Sequence, residues 1–378
     1  MANITGRRIL IVSQWFVSED LNGRIYIPGG NERTSYELAK QLKRKGYEIM
    51  ILSTTENKNV GYKILDGIKV YRFKQPRRFY GFVIDFLSFL NTWKVIKRFN
   101  PDIVHIIGDI YRFSIGAIIA SKIMRKKVLK TVTNRPKKRK RLLARLFDNL
   151  IASKIIKMVD IITYSTPDLQ EILSYIRNDA IFIPNFVDSS RFKPAKAING
   201  LNSTPKILIT STFSYNKGGR VALKAMKIVK EEYPDIEIAA LKPKIDHIYQ
   251  AILLEEIERE NIKVLPPIPD NLMPDILNYY DIIVGQFYIG ALGRLELEAM
   301  ACGKPLICFF KYWNWYDSPP PIISATSPDN IAKNIKKLIT YKDIREKIGT
   351  ENRKWVVRNH DLKVIVQKYV QIYEKLCK

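Results

Sequence analysis

The segment from Gly290 to Pro305, Gly-Ala-Leu-Gly-Arg-Leu-Glu-Leu-Glu-Ala-Met-Ala-Cys-Gly-Lys-Pro, is the part of the chain whose residue types could do chemistry. Between the apolar runs Ile282–Val284 and Leu306–Phe310 it reads as a glycine-containing turn, a short helix and a Gly-x-Pro stop. Backbone N–H groups freed at the start of such a helix face outward, and the helix dipole favours an anion there, such as a phosphate. Glu298 falls about one turn inside the helix, where a carboxylate can accept two hydrogen bonds from a sugar diol. The same residue types also fit a solvated helix with an incidental glutamate.

The elements that must position this segment alternate along the chain. Strands are predicted at Arg8–Ser13, Tyr47–Ser53, Ile103–Ile107, Val128–Val132 and Ile161–Ser165, with helices over Ser35–Gly46 and Ser114–Met124. A surface linker is expected over Ala195–Pro205. The cycle then restarts with a strand at Lys206–Thr210, the loop Tyr215–Gly219, a helix to about Glu232 and a strand at Ile236–Ala239. From Pro328 onward the chain reads as helical, with a last helix long enough to reach back over the first domain. Strands alternating with helices imply parallel sheets covered on both faces, here two doubly wound α/β domains, each with a Gly-Gly turn opening its first helix.

The chain has 378 residues, too many for one ordinary core, and 46% hydrophobic residues describe a globular protein. Its three cysteines, Cys302, Cys308 and Cys377, imply neither a disulfide framework nor a metal cluster, so a reducing compartment is expected. No apolar stretch reaches the roughly 20 residues that span a bilayer, and the opening Met1–Arg8 runs directly into a strand, so the expectation is a cytoplasmic protein. The formal net charge of +26 is attractive to polyanions: nucleic acid, an anionic membrane surface or phosphorylated substrates.

Several motifs, in order, resemble the GT-B glycosyltransferases, in particular the retaining family 4 that uses nucleotide-sugar donors. Pro28-Gly-Gly-Asn-Glu is similar to that family's N-terminal glycine loop, and Asn100-Pro-Asp-Ile-Val-His to its Pro-Asp-x-x-His strand. Ile183-Pro-Asn-Phe-Val-Asp is similar to the interdomain Pro-Asn-Gly-Val-Asp segment, Lys217-Gly218 to the donor-loop Lys-Gly, and Glu298 through Pro305 to the second half of the Glu-x7-Glu signature. The resemblance implies two Rossmann-like domains facing an interdomain cleft: an acceptor-side domain over 1–188, a donor domain over 189–355, and a helix over 356–378 returning to the first. It implies that Glu298 binds the nucleotide ribose, that Lys217 and Gly218 contact the diphosphate, and that Gly29 and Gly30 let the backbone approach the donor. Neither a metal nor a cofactor is expected beyond the nucleotide-sugar itself.

The departures bear on the chemistry. The first glutamate of the signature falls on Gly290, the donor-loop arginine on Thr212, the histidine after a later N-terminal strand on Thr133, and the interdomain glycine on Phe186. A divergent branch that keeps Gly293 and Gln286 fits this pattern, with Arg294 as the candidate to replace the missing cation. No catalytic nucleophile can be named; His105 is the candidate general base, against the alternative of a structural histidine. The basic run holding Arg135, Lys137, Lys138, Arg139, Lys140 and Arg141, with the aromatic stretch Arg77–Trp93, suggests interfacial binding to the inner membrane face, or else a buried helix in the first domain. The resulting expectation is retaining transfer from a nucleotide-sugar to a lipid-linked or glycan acceptor. The rivals are a GT-B-like protein that binds without turnover and a basic nucleic-acid-binding protein, for which only the charge speaks.

Overall fold

The computed structural model describes residues 6–19, 25–27, 29–56, 60–75, 80–109, 113–135, 153–195, 204–211, 217–242 and 248–378. The chain forms two compact units, Met1–Pro184 with Ile365–Lys378, and Asn185–Val364.

In the first unit the strands are β1 (Arg8–Ser13), a short pair β2 (Ser18–Glu19) and β3 (Ile25–Tyr26), β4 (Glu48–Thr55), β5 (Gly61–Leu65), β6 (Ile68–Lys74), β7 (Ile103–Gly108), β8 (Lys127–Val132), β9 (Ile161–Tyr164) and β10 (Ile181–Phe182). Its main sheet has the order β10-β9-β8-β7-β1-β4-β6-β5, parallel except for the edge strand β5. The chain leaves β1 for β4 on one side and comes back to β7 on the other, so strand order reverses between β1 and β7. Apolar runs such as Ile9–Val12, with no exposed surface, are what a strand covered on both faces requires. β5 and β6 are joined at Asp66-Gly67, with φ of 48° and 70°, the two left-handed residues of a tight hairpin turn.

From Tyr80 the aromatic stretch lies in the helix Tyr80–Phe99, which packs on the helix Phe113–Ile123. A Cβ built on Gly116 would lie 1.8 Å from the Asp85 carbonyl oxygen, so the two backbones touch there, and Ser88 Oγ donates to the Phe113 carbonyl at 2.7 Å. Ile84, Ser88, Thr92, Val95 and Ile96 are buried on this helix, which makes it chiefly a packing element of the first unit.

The second unit holds β11 (Ile207–Ile209), β12 (Ile238–Leu241), β13 (Lys263–Leu265), β14 (Ile282–Val284), β15 (Leu306–Cys308) and β16 (Ile323–Ser324) in an all-parallel sheet of order β13-β12-β11-β14-β15-β16. Alternate strand residues feed two cores. Ile207, Ile209, Ile282 and Val284 pack with the helices Gly219–Glu232 and Pro328–Thr340. Leu208, Ile283, Leu306 and Cys308 pack with the helix Arg294–Ala301. Period-2 side chains with both faces buried explain why these strands read as continuous apolar runs. The helix Arg294–Ala301 is buried from Glu296 to Ala301 and ends at Gly303, where the Gly303 and Lys304 N–H groups bond the Met300 and Ala299 carbonyls.

Candidate functional site

Strand order in the second unit reverses between β11 and β14, and ligands of open α/β sheets bind at the carboxyl ends of the strands flanking such a point. The loops leaving these two strands are tied together. Thr210 N–H bonds the Val284 carbonyl at 2.9 Å, and Phe287 N–H bonds the Lys217 carbonyl at 3.0 Å. Gly218 caps the helix Gly219–Glu232 at φ 72°, and a Cβ there would lie 2.9 Å from the Phe287 Cβ and 3.3 Å from a ring carbon of Tyr288. Left-handed geometry and close approach both require glycine. Lys217, beside it, is half-buried.

The loop after β14 delivers the next group of residues. Gly293 is the N-cap of the helix Arg294–Ala301, and the N3 residue Glu296, 4% exposed, folds back over it: a Cβ on Gly293 would meet Glu296 Oε2 at 2.6 Å. This is the placement of a capping-box glutamate. Arg294 opens the helix with its guanidinium 5.6 Å from the Phe186 ring centroid. Glu298 is 3% exposed in the following turn. Gln286, also buried, donates from its side chain to the Ala291 carbonyl and so closes the loop internally. Gly290 stands at φ 75°, and a Cβ there would meet Lys311 Cγ at 2.8 Å and Phe309 Cε1 at 3.0 Å. Lys217, Gly218, Gly293, Arg294 and Glu298, singled out in the sequence, thus lie on the two loops and two helices of one switch point.

The thiols nearby are inert. Burial pushes Cys302 up to about 12 and holds Cys308 well above the ordinary thiol range, so neither is a thiolate nucleophile. Among the described residues no group of three or more His, Cys, Asp or Glu is disposed to hold a metal ion.

Gly29 and Gly30 occupy the corresponding place in the first unit, at the start of the helix Gly30–Arg44 that follows β1, next to the β1/β7 reversal. Gly29 is the N-cap, and a Cβ on it would meet Oε2 of the N3 residue Glu32 at 2.7 Å. Both units therefore open a switch-point helix with an N-cap glycine and an N3 glutamate.

His105 is corrected from candidate base to packing residue. It has no exposed surface; its Nδ1 is 2.7 Å from the Tyr373 hydroxyl and its Nε2 2.7 Å from Thr131 Oγ1, leaving no ring nitrogen for a substrate. Burial, with Lys130 nearby, pulls its pKa down to about 3, so it stays neutral and locks the last helix onto β7 and β8. Lys130 is itself fully buried, donating to Ser114 Oγ at 2.9 Å and the Gly108 carbonyl at 3.2 Å, and burial pulls it down to about 7.

Of the basic run, Arg135 binds Asp168 Oδ2 at 2.6 Å and Glu171 at 3.3 Å, so its charge is committed within the unit. Lys137, Lys138, Arg139, Lys140 and Arg141 lie outside the described residues, as do Thr212 and Pro28. On the helix Tyr80–Phe99, Phe86 and Leu90 are exposed at 52% and 44%, in line with exposed Lys94 and Lys97. Among the described residues no helix is long and apolar enough to cross a membrane.

Sequence reasoning passed over Glu296 and Lys311. The acid three residues after Gly293 was a readable capping signal for Glu296. Lys311 had none, because its contact with Gly290 arises from the pairing of β14 with β15 and the Lys311 N–H bond to the Gly290 carbonyl at 3.1 Å.

Residues 28–191 match the family described as Glycosyltransferase Family 4, and residues 192–313 match Glycosyl transferases group 1. Spore coat protein SA of Bacillus subtilis (strain 168) is 21% identical over 197 residues, 47% of this chain and 50% of that protein, so the chain spans about half the length of this curated relative. Among solved structures, a glycosyltransferase from Rickettsia africae superposes with TM-score 0.72 at 18% identity, covering 99% of each chain. Anabaena HepE, solved in complex with UDP and glucose, gives 0.72 at 16%, covering 97% of this chain and 99% of that one. Sucrose-phosphate synthase from Thermosynechococcus elongatus gives 0.74 at 14%, covering 98% and 99%. Likeness at these identities speaks to the fold.

Proposed function

Because this chain belongs to the group 1 glycosyltransferases of family 4 and has their two-domain Rossmann-like GT-B fold, we propose that it transfers a sugar from a nucleotide-sugar donor to a lipid-linked or glycan acceptor with retention of configuration. The observation that carries the donor reading is the Lys217–Phe287 junction. It sets a lysine, a close-approach glycine and the N-terminus of the Arg294–Ala301 helix around one switch point. In this reading the donor diphosphate meets that helix N-terminus, with Lys217 and Arg294 offsetting the charge that grows on it as the glycosidic bond breaks. Glu298 binds the ribose hydroxyls. Cations on the loops do the work a metal would otherwise do, and rate enhancement comes from positioning and leaving-group stabilisation rather than a protein nucleophile.

HepE, solved with UDP and glucose, supports a nucleotide-sugar donor by analogy. A peripheral position on the inner membrane face is proposed from the exposed Phe86, Leu90, Lys94 and Lys97 stripe and the +26 charge. The second reading, binding without turnover, is favoured by Gly290, which offers no carboxylate. Release of nucleoside diphosphate from a panel of UDP-, GDP-, ADP- and dTDP-sugars, read by coupled assay, separates the two. Release abolished in Glu298→Ala supports transfer, whereas binding with no release from any donor, with candidate acceptors present, supports the second reading.

A further inference from the structure

The donor reading places ribose at Glu298 and diphosphate at Gly293–Arg294, so the ligand runs back along the chain toward the helix start and its sugar falls next, beside Gly290. What stands at that place is a lysine side chain. The stem of Lys311 lies across Gly290, with Cγ and Cδ at 2.8 and 3.1 Å from where a Cβ would be, and Phe309 closes the other side. The left-handed backbone strains any other residue at 290, and a side chain there would have to displace the Lys311 stem and the Phe309 ring. The loop is fixed by the Gln286 side-chain bond to the Ala291 carbonyl and by the Lys311 and Phe309 N–H bonds to the Gly290 and Gln286 carbonyls, at 3.1 and 2.8 Å. Lys311 is exposed, its ammonium 5.1 Å from the Tyr312 ring centroid, and among the described residues it has no carboxylate partner.

Resting on the donor reading, we propose that Lys311 sets donor specificity and that the transferred sugar is acidic, a hexuronic acid whose carboxylate pairs with the Lys311 ammonium. Beside a neutral sugar this ammonium keeps only the Tyr312 ring and solvent, and a carboxylate adds a charge-assisted hydrogen bond.

The test is calorimetric titration of the purified full chain with UDP, GDP, ADP and dTDP, and then with a neutral and a uronate sugar of whichever class binds (UDP-glucose and UDP-glucuronate, GDP-mannose and GDP-mannuronate, or their ADP or dTDP counterparts), in wild type, Lys311→Met and Lys311→Arg. Within the nucleotide class that binds, wild type should hold the uronate donor about tenfold or more tighter than the neutral one. Lys311→Met should bring the two within about twofold while leaving bare nucleoside diphosphate unchanged, and Lys311→Arg should keep the preference. Equal affinity for acidic and neutral donors in wild type overturns the proposal and leaves the donor reading intact. So does a Lys311→Met variant that loses bare nucleoside diphosphate as strongly as the uronate, which would make Lys311 a diphosphate contact. Folded protein that binds no nucleotide overturns both.

Discussion

Gly218 and Phe287 meet across the gap between β11 and β14 with no space for a methyl group, since a Cβ on Gly218 falls 2.9 Å from the Phe287 Cβ. Gly218→Ala adds this overlap to a φ of 72° that alanine adopts only under strain. The cost should be about 1–3 kcal/mol of stability. Displacing Lys217 should also weaken nucleotide-sugar binding by about tenfold, or ~1.4 kcal/mol. Urea unfolding and calorimetric titration read the two effects separately.

Gly116→Ala tests the helix pair of the first unit. Alanine ordinarily stabilises a helix by about 1 kcal/mol over glycine. Here its Cβ would lie 1.8 Å from the Asp85 carbonyl oxygen and 2.7 Å from the Phe89 nitrogen, both backbone atoms that cannot turn away. The variant should lose about 3 kcal/mol, seen as a lowered urea midpoint.

His105 makes the fold acid-sensitive. The unfolded chain protonates this histidine near its ordinary value of 6.5, the folded chain only near 3. Between those values the unfolded state binds more protons, so stability falls as pH falls, by about 2 kcal/mol at pH 5. Urea midpoints at pH 7.5 and 5 should separate more in wild type than in His105→Gln.

Lys130 has the same sign in a higher window. Its folded value of about 7 lies below the ordinary 10.5, so from pH 7 upward the unfolded state holds the extra proton and stability rises with pH. Between pH 7 and 9 wild type should gain on the order of 2 to 3 kcal/mol relative to Lys130→Met, measured by the same unfolding series.

The parallel core was legible because β1, β4, β11 and β14 hold buried apolar runs, and β7, β8 and β9 stay mostly apolar around the buried His105, Lys130 and Thr163. The β5–β6 hairpin was not read. β5 is exposed at the sheet edge, and β6, though mostly buried, has Lys69, Arg72 and Lys74 breaking its apolar run, although Asp66-Gly67 was an available turn signal. β12 was placed two residues early because Ile236 is buried ahead of the strand that begins at Ile238. At the site, Glu298 stood out from its place one turn past a glycine turn, while Lys217 was named only by the family resemblance. His105 carries the family motif yet is fully occupied by Tyr373 and Thr131, partners 268 and 26 residues away that no local pattern reveals.

The most direct test of the donor-site account is calorimetric titration of nucleotide-sugars into wild type, Lys217→Ala and Glu298→Gln, each shown by cooperative unfolding to be folded. The account predicts that one nucleotide class binds wild type and that each variant weakens it by about 10- to 100-fold, the loss of one charge-assisted contact. Binding of unchanged affinity in both variants, or no binding of any nucleotide-sugar to folded wild type, would contradict it.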